Sequence, residues 1–238
     1  MQELLIITPV KDSIDHTIRT MEAVVQSELT VPHRYVVYND NSTPENTARL
    51  HAEGQRLGVE VVDLADLTDL PSPNYLFVLR RCRKEALAAN AGLLIVESDV
   101  TVQRDTLQKL YEGATARTDC GIAAAVTVDE EGKINYPYLY ARGNEGKDYD
   151  CKKHCSFCCS LLTPALLKAC DFDRLDDSKN WFDVTISHDS LAAGLHNYLF
   201  CSLPVLHRPH GSRPWKQLKY TNPIKYYWTK WTKGFDKI

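Results

Sequence analysis

Short unbroken apolar runs punctuate the first hundred residues: Leu4-Leu5-Ile6-Ile7, Tyr35-Val36-Val37-Tyr38 and Leu93-Leu94-Ile95-Val96. Runs of this length without alternation fit strands covered on both faces. Val59 to Val62 reads as a further strand. Between these runs the apolar spacing changes to that of helices. Over Ser13–Ser27, residues Ile14, Ile18, Met21 and Val25 fall on one helical face. Thr43-Pro44-Glu45 supplies a cap followed by a proline in a first helical turn. Residues 80–91 form a basic, Ala-rich helix. Strands alternating with helices predict right-handed βαβ units, hence an α/β fold with a mostly parallel central sheet and flanking helices.

The second half is less regular. Ile122–Val128 reads as a strand, Asp129-Glu130-Glu131-Gly132-Lys133 as a turn, and 141–153 as a polar loop. Cys158–Leu162 is apolar again and leads into a helix started by Pro164. A helix over His188–His196 and a last strand over Phe200–Leu206 complete the pattern. There is no internal repeat and no low-complexity linker.

The run Leu93–Val96 passes directly into Glu97-Ser98-Asp99. The carboxylates therefore fall at the C-terminal end of a buried strand, where open α/β sheets bind ligands. Two carboxylates one residue apart suit a hard divalent cation, which in turn can hold a diphosphate. A solvated acidic turn would carry the same residues, so other segments must decide.

Bulk composition narrows the classes. The chain has 238 residues, 44% hydrophobic and 25% charged, which is ordinary for a globular protein. A net charge of −3 gives no general attraction to nucleic acid. The start, Met1-Gln2-Glu3-Leu4-Leu5-Ile6-Ile7, has no basic leader, and no apolar stretch reaches the length of a membrane span. A cytoplasmic location is expected, and the eight cysteines are expected as thiols.

The order of these features resembles family 2 glycosyltransferases of the GT-A fold. The matching segments are Ile6-Ile7-Thr8-Pro9-Val10, Tyr38-Asn39-Asp40-Asn41-Ser42, the acidic triad, Trp181-Phe182-Asp183 with His188-Asp189, and His207-Arg208-Pro209-His210-Gly211-Ser212. The resemblance spans about residues 3–215. It implies transfer of a sugar from a nucleoside-diphosphate sugar to the hydroxyl of a glycan or lipid-linked acceptor, with inversion and with Mn²⁺ or Mg²⁺. Donor contacts would come from Thr8, Pro9, Val10, Asp40, Arg81, Glu97, Ser98 and Asp99. Asp40 would accept a hydrogen bond from the nucleobase, although Asn39–Ser42 also suits a plain turn. Asp99 takes the place of the metal-binding aspartate, with His207 and His210 as further metal ligands; Glu97 departs from the family's Asp by one methylene. Asp189 is the candidate general base. Trp181, Asp183 and His188 would face the acceptor, His188 departing from the usual acidic neighbour. Arg80, Arg81, Arg83 and Lys84 suit nearby phosphates or a solvated helix face equally. Residues 1–212 would form one domain, with a nucleotide-sugar half over 1–115 and an acceptor half over 116–212. A protein that binds nucleotide sugar or carbohydrate without turnover is the non-enzymatic alternative.

Two segments fall outside this scheme. Cys151, Cys155 and Cys158 have the Cys-x3-Cys-x-x-Cys spacing that resembles the iron–sulfur motif of radical S-adenosylmethionine enzymes. Those enzymes place it early in the chain, whereas here only 80 residues follow Cys158. With His154 the same thiols make a poorly spaced zinc site, and Cys158 and Cys159 also suit small core positions. The tail, 213–238, interleaves seven basic residues with seven aromatic ones. It is read first as a cover over the acceptor site and second as a peripheral contact with an anionic membrane.

Overall fold

The computed structural model describes residues 1–177, 181–209, 218 and 222–232. Every apolar run of the first half becomes a strand: Leu4–Val10 (β1), His33–Asn39 (β2), Glu60–Asp63 (β3) and Gly92–Val96 (β4). The helices between them are Ile14–Val25 (α1), Pro44–Leu57 (α2) and Tyr75–Ala88 (α3). Thr43 caps α2 as expected, its hydroxyl accepting from Asn46 N–H at 3.4 Å. The buried face of α1 is rotated slightly from the expected one: Val24 is buried and Val25 is 44% exposed. The basic helix begins five residues earlier than its composition suggests, at Tyr75.

The remaining elements are Val100–Thr101 (β5), Thr106–Thr115 (α4), Cys120–Val128 (β6), Tyr149–Asp150 (β7), Cys159–Leu162 (β8), Pro164–Ala169 (α5), Phe182–Ala192 (α6), His196–His207 (β9) and Pro223–Thr232 (α7). The expected helix over His188–His196 is displaced: α6 starts six residues earlier, and His196 already opens β9. Polar residues interrupt the apolar pattern of α6, and this hid its first turn.

The strands join in the order β3-β2-β1-β4-β8-β6-β9-β5, with β7 on the outer part of β9. From β3 to β4 every pairing is parallel, as βαβ units require. Beyond β4 the sheet is mixed. β8 runs antiparallel to both β4 and β6, β5 and β7 run antiparallel to β9, and β6 and β9 are parallel. No α-helix intervenes between β6 and β8, in keeping with their antiparallel pairing, since parallel neighbours are usually joined through a crossover helix. The class is thus α/β, with its parallel part in the first half.

Alternation along each buried strand separates two apolar layers. Leu5, Ile7, Leu93 and Ile95 pack with Leu79 of α3, Leu166 of α5 and Ile186 of α6. Leu4, Ile6, Leu94 and Val96 pack on the other face with Leu107 and Leu110 of α4. This two-sided cover is why the strands read as continuous apolar runs. Gly121 in β6 lets α6 approach closely: a Cβ there would collide with Ser190 Oγ and stand 3.1 Å from Leu195 Cβ.

Candidate active site

The acidic triad sits between two strands. Glu97 N–H donates to the Cys158 carbonyl at 2.9 Å, and Val100 N–H closes a turn onto the Glu97 carbonyl at 3.1 Å. β5 then pairs with the end of β9, setting Val100 opposite His207. Arg208 N–H donates to the Asp99 carbonyl at 3.0 Å. Pairing across more than 100 residues of chain thus brings His207 to the triad. His207 Nε2 lies 3.5 Å from Asp99 Oδ2, with both side chains buried.

The imidazole is oriented from behind. His207 Nδ1 is 2.7 Å from the Tyr136 carbonyl, a contact that assigns a proton to Nδ1; Nε2 faces Asp99, donating to it in the charged ring and offering a lone pair to a cation in the neutral one. Its pKa is raised: burial opposes the charge, and the hydrogen bond and charge of Asp99 outweigh it. Glu97 is pushed up to about 7 by burial and by the neighbouring Asp99 charge, against the opposing effect of His207. Cys158 Sγ donates to Glu97 Oε2 at 3.2 Å, and burial holds this thiol well above its ordinary pKa. Ligand atoms of Glu97, Cys158 and His207 all lie within 4.8 Å of one another. Carboxylate oxygens and an imidazole lone pair beside a protonated thiol form a hard donor set, which fits Mn²⁺ or Mg²⁺ better than a thiophilic ion.

Asp183 lies in the first turn of α6, close enough to Glu97 for the two charges to interact. Tyr75, at the start of α3, feels both Glu97 and Asp183. Its buried hydroxyl has no hydrogen-bond partner among the described residues. His154 responds to Asp183 and to His188, burial lowering its pKa most. Asp183 and Tyr75 are thus within electrostatic range of Glu97, and His154 within range of Asp183. Asp189 does not join them. It is exposed, six residues further along α6, and lines a separate cavity of about 570 Å³ with Asp171, Arg174, Trp181 and Thr185. A helix turns through well over one revolution in six residues and rises about 9 Å, so Asp183 and Asp189 serve different surfaces. Trp181 caps α6 beside that cavity and His188 is exposed.

The remaining expected donor residues lie along the strand ends. Thr8 is fully buried, its hydroxyl 2.9 Å from that of Tyr35, and Pro9 and Val10 end β1. Val10 O accepts from Asp40 N–H at 2.8 Å. The Asp40 carboxylate is largely engaged inside the protein, accepting from Ser72 Oγ, Asn74 N–H and Asn74 Nδ2, each at 2.8 Å. A carboxylate offers about four lone-pair sites, so one is left for a ligand. Ser98, between Glu97 and Asp99 in the chain, is buried. Arg81 is exposed on α3 and hydrogen-bonds Tyr38. Its neighbours act structurally. Arg80 binds the carbonyls of Phe172 and Leu175, and Arg83 binds the Leu167 carbonyl and Asp171. His210 lies outside the described residues.

The three cysteines of the iron–sulfur spacing part company. Cys158 belongs to the acidic site, whereas Cys151 and Cys155 hydrogen-bond one another, and Cys151 is lowered to about 6 chiefly by that bond. Among the described residues the three sulfurs do not form a group that could share one ion. All eight cysteines are free and buried.

No family model and no curated protein sequence matches the chain. Solved structures do, and the fold they share with it is that of GT-A-like glycosyltransferases. One is the mannosyltransferase PcManGT of Pyrobaculum calidifontis in complex with GDP-Man and Mn²⁺, at a TM-score of 0.65 and 13% identity over 95% of this chain. Another is S. aureus TarS residues 1–349 in complex with UDP-GlcNAc, at 0.61 and 14% identity over 88% of this chain. A mycobacterial protein follows at 0.59 and 16% identity over 91%. The chain spans 63% of the length of the mannosyltransferase and 60% of that of the TarS fragment.

Proposed function

We propose that the chain transfers a sugar from a nucleoside-diphosphate donor to an acceptor hydroxyl, in the manner of an inverting family 2 glycosyltransferase. The observation that carries this reading is the convergence of Glu97, Asp99 and His207 at one strand end, with Asp183 beside them. The neighbours' complexes with GDP-Man, UDP-GlcNAc and Mn²⁺ support a nucleotide-sugar donor and a divalent cation here.

Glu97, Asp99 and His207 would hold the cation, which when bound offsets the charge that develops on the departing diphosphate. The strand ends at Thr8–Val10 and Asp40 would seat the nucleoside, with Arg81 and Ser98 nearer the phosphates. Asp183 takes the role of general base that the sequence assigned to Asp189. It accepts the acceptor's hydroxyl proton as that oxygen bonds to the anomeric carbon, while the bond from that carbon to the diphosphate oxygen breaks on the opposite side. One displacement inverts the anomeric centre. His154 and His188 then line the acceptor side, and a glycan or lipid-linked glycan is the acceptor class. Residues 1–115 serve the donor and 116–212 the acceptor.

A thermal-shift panel of nucleoside diphosphates with Mn²⁺ identifies the base, because a ligand selective for the native state raises its stability by mass action. Proton NMR of the product formed from the matching nucleotide sugar then reads the anomeric configuration. Retention of configuration would refute the single displacement, and binding without turnover would leave a nucleotide-sugar-binding protein.

A further inference from the structure

We propose that α7 docks this protein on an anionic lipid surface through one apolar stripe. Ile224 is 85% exposed, Tyr227 60%, Trp228 66% and Trp231 76%. These positions are spaced i, i+3, i+4 and i+7, so the four side chains share one face of the helix. Tyr226, on the opposite side, is buried at 6%. One side of the helix is therefore covered at Tyr226 while its most apolar face meets water. Tyr227, Trp228 and Trp231 are not packed over the protein, and the other aromatics of the expected cover, Trp215, Tyr220 and Phe235, lie outside the described residues. A contiguous patch of this kind marks an interaction surface.

Its borders and its charge select the partner. At about 100° per residue, Lys225 flanks the stripe on one side and Lys230 on the other. Residues 213–238 carry seven basic side chains against the single acid Asp236, a charge of +6 in a chain of net −3. The other residues thus sum to −9 and would be repelled by an anionic surface that the tail attracts. Tryptophan and tyrosine favour the interface of a bilayer, and lysine stems reach from there to lipid phosphates. An apolar groove on a protein would accept the stripe but would not call for basic borders on both sides. Among the described residues no helix is long and apolar enough to cross a membrane, so α7 would lie in the plane of the interface. This docking does not depend on the proposed reaction.

The test uses the full chain with vesicles of phosphatidylcholine alone and of phosphatidylcholine mixed with phosphatidylglycerol. Co-sedimentation should show binding to the mixed vesicles only, weakened by salt, with a blue shift of tryptophan emission. The double variant Trp228→Ser/Trp231→Ser should lose at least about tenfold in affinity. Lys225→Glu/Lys230→Glu should lose about fivefold or more per site. Because Trp228 and Trp231 are exposed, the tryptophan variant should keep the wild-type melting temperature, and the same melt is taken for the lysine variant because Lys230 is half-buried, so lost binding will not be confused with lost folding. Equal binding to both vesicle types, no binding to either, or undiminished binding of the tryptophan variant would overturn the proposal. So would a wild-type dimer in sedimentation that the tryptophan variant splits, which would assign the stripe to a second copy of the chain.

Discussion

Replacing Glu97 by glutamine should stabilise the metal-free protein while weakening it as a donor binder. The carboxyl is raised from an ordinary 4.5 to about 7 in the folded chain, first by burial and then by Asp99. Below pH 4.5 folded and unfolded chains both hold the proton, and Glu97 costs nothing. As pH rises from there to 7, the unfolded chain releases a proton that the folded chain keeps, so stability falls. Above pH 7 the full penalty applies, and this gap in pKa corresponds to at most about 3 kcal/mol. Glutamine cannot ionise, yet its carbonyl can still accept from Cys158 Sγ, as Glu97 Oε2 does. Glu97→Gln should therefore be more stable than wild type by up to about 3 kcal/mol near pH 8, with the difference closing near pH 4. Urea unfolding in EDTA across that range reads the difference directly. Adding Mn²⁺ should reverse the order, because wild type gains more from binding. A stability difference that does not change with pH would refute the assignment of a destabilised carboxylate at this site.

The other expectations concern single residues. Asp183→Asn should lower transfer by about 10²-fold or more with donor affinity retained, while Asp189→Asn stays near wild type; the reverse pattern in steady-state kinetics would restore Asp189 as the base. His207→Gln should weaken Mn²⁺ binding by at least about tenfold in calorimetry, and an unchanged affinity would remove His207 from the ligand set. Asp99→Asn should abolish metal-dependent binding of the nucleoside diphosphate with little change in the melt, and retained metal dependence would place the cation elsewhere. Asp40→Ala should cost about 2–4 kcal/mol in urea unfolding, since its carboxylate anchors Ser72 and Asn74; a neutral outcome would free Asp40 for the nucleobase alone.

The first half of the fold was legible because its central strands β1 and β4 are buried on both faces. Leu93–Val96 needs no partner information to be read as a strand, and Thr43-Pro44 marks its own helix start. The second half hides its elements. β9 opens with His196-Asn197, so polar residues mask its start, and only Phe200–Leu206 stood out. The start of α6 was missed for a related reason. Trp181-Phe182-Asp183 offers no Ser, Thr or Asn cap, and Trp181 makes no side-chain cap hydrogen bond. Resemblance alone assigns the general base to Asp189; Asp183 is proposed in its place because of its electrostatic proximity to Glu97. Cys158 was drawn to a cysteine pattern because spacing along the chain says nothing of Glu97, 61 residues earlier. Tyr75 gave no signal at all, since its role depends on where α3 begins.

The pairing of Val100 with His207 has a consequence for how the protein reaches its native state. The halves of the proposed cation site are made early and late in the chain, and they meet where the edge strand β5 pairs with β9. Contacts of such long sequence separation close a large loop and form late in folding. A partly folded chain, including one still emerging from the ribosome without β9, holds Glu97 and Asp99 but not the imidazole that completes the set. Cation affinity would then act as a checkpoint on the finished sheet: the ion would bind strongly only to molecules whose last strand has docked, and would hold that strand in place once it has.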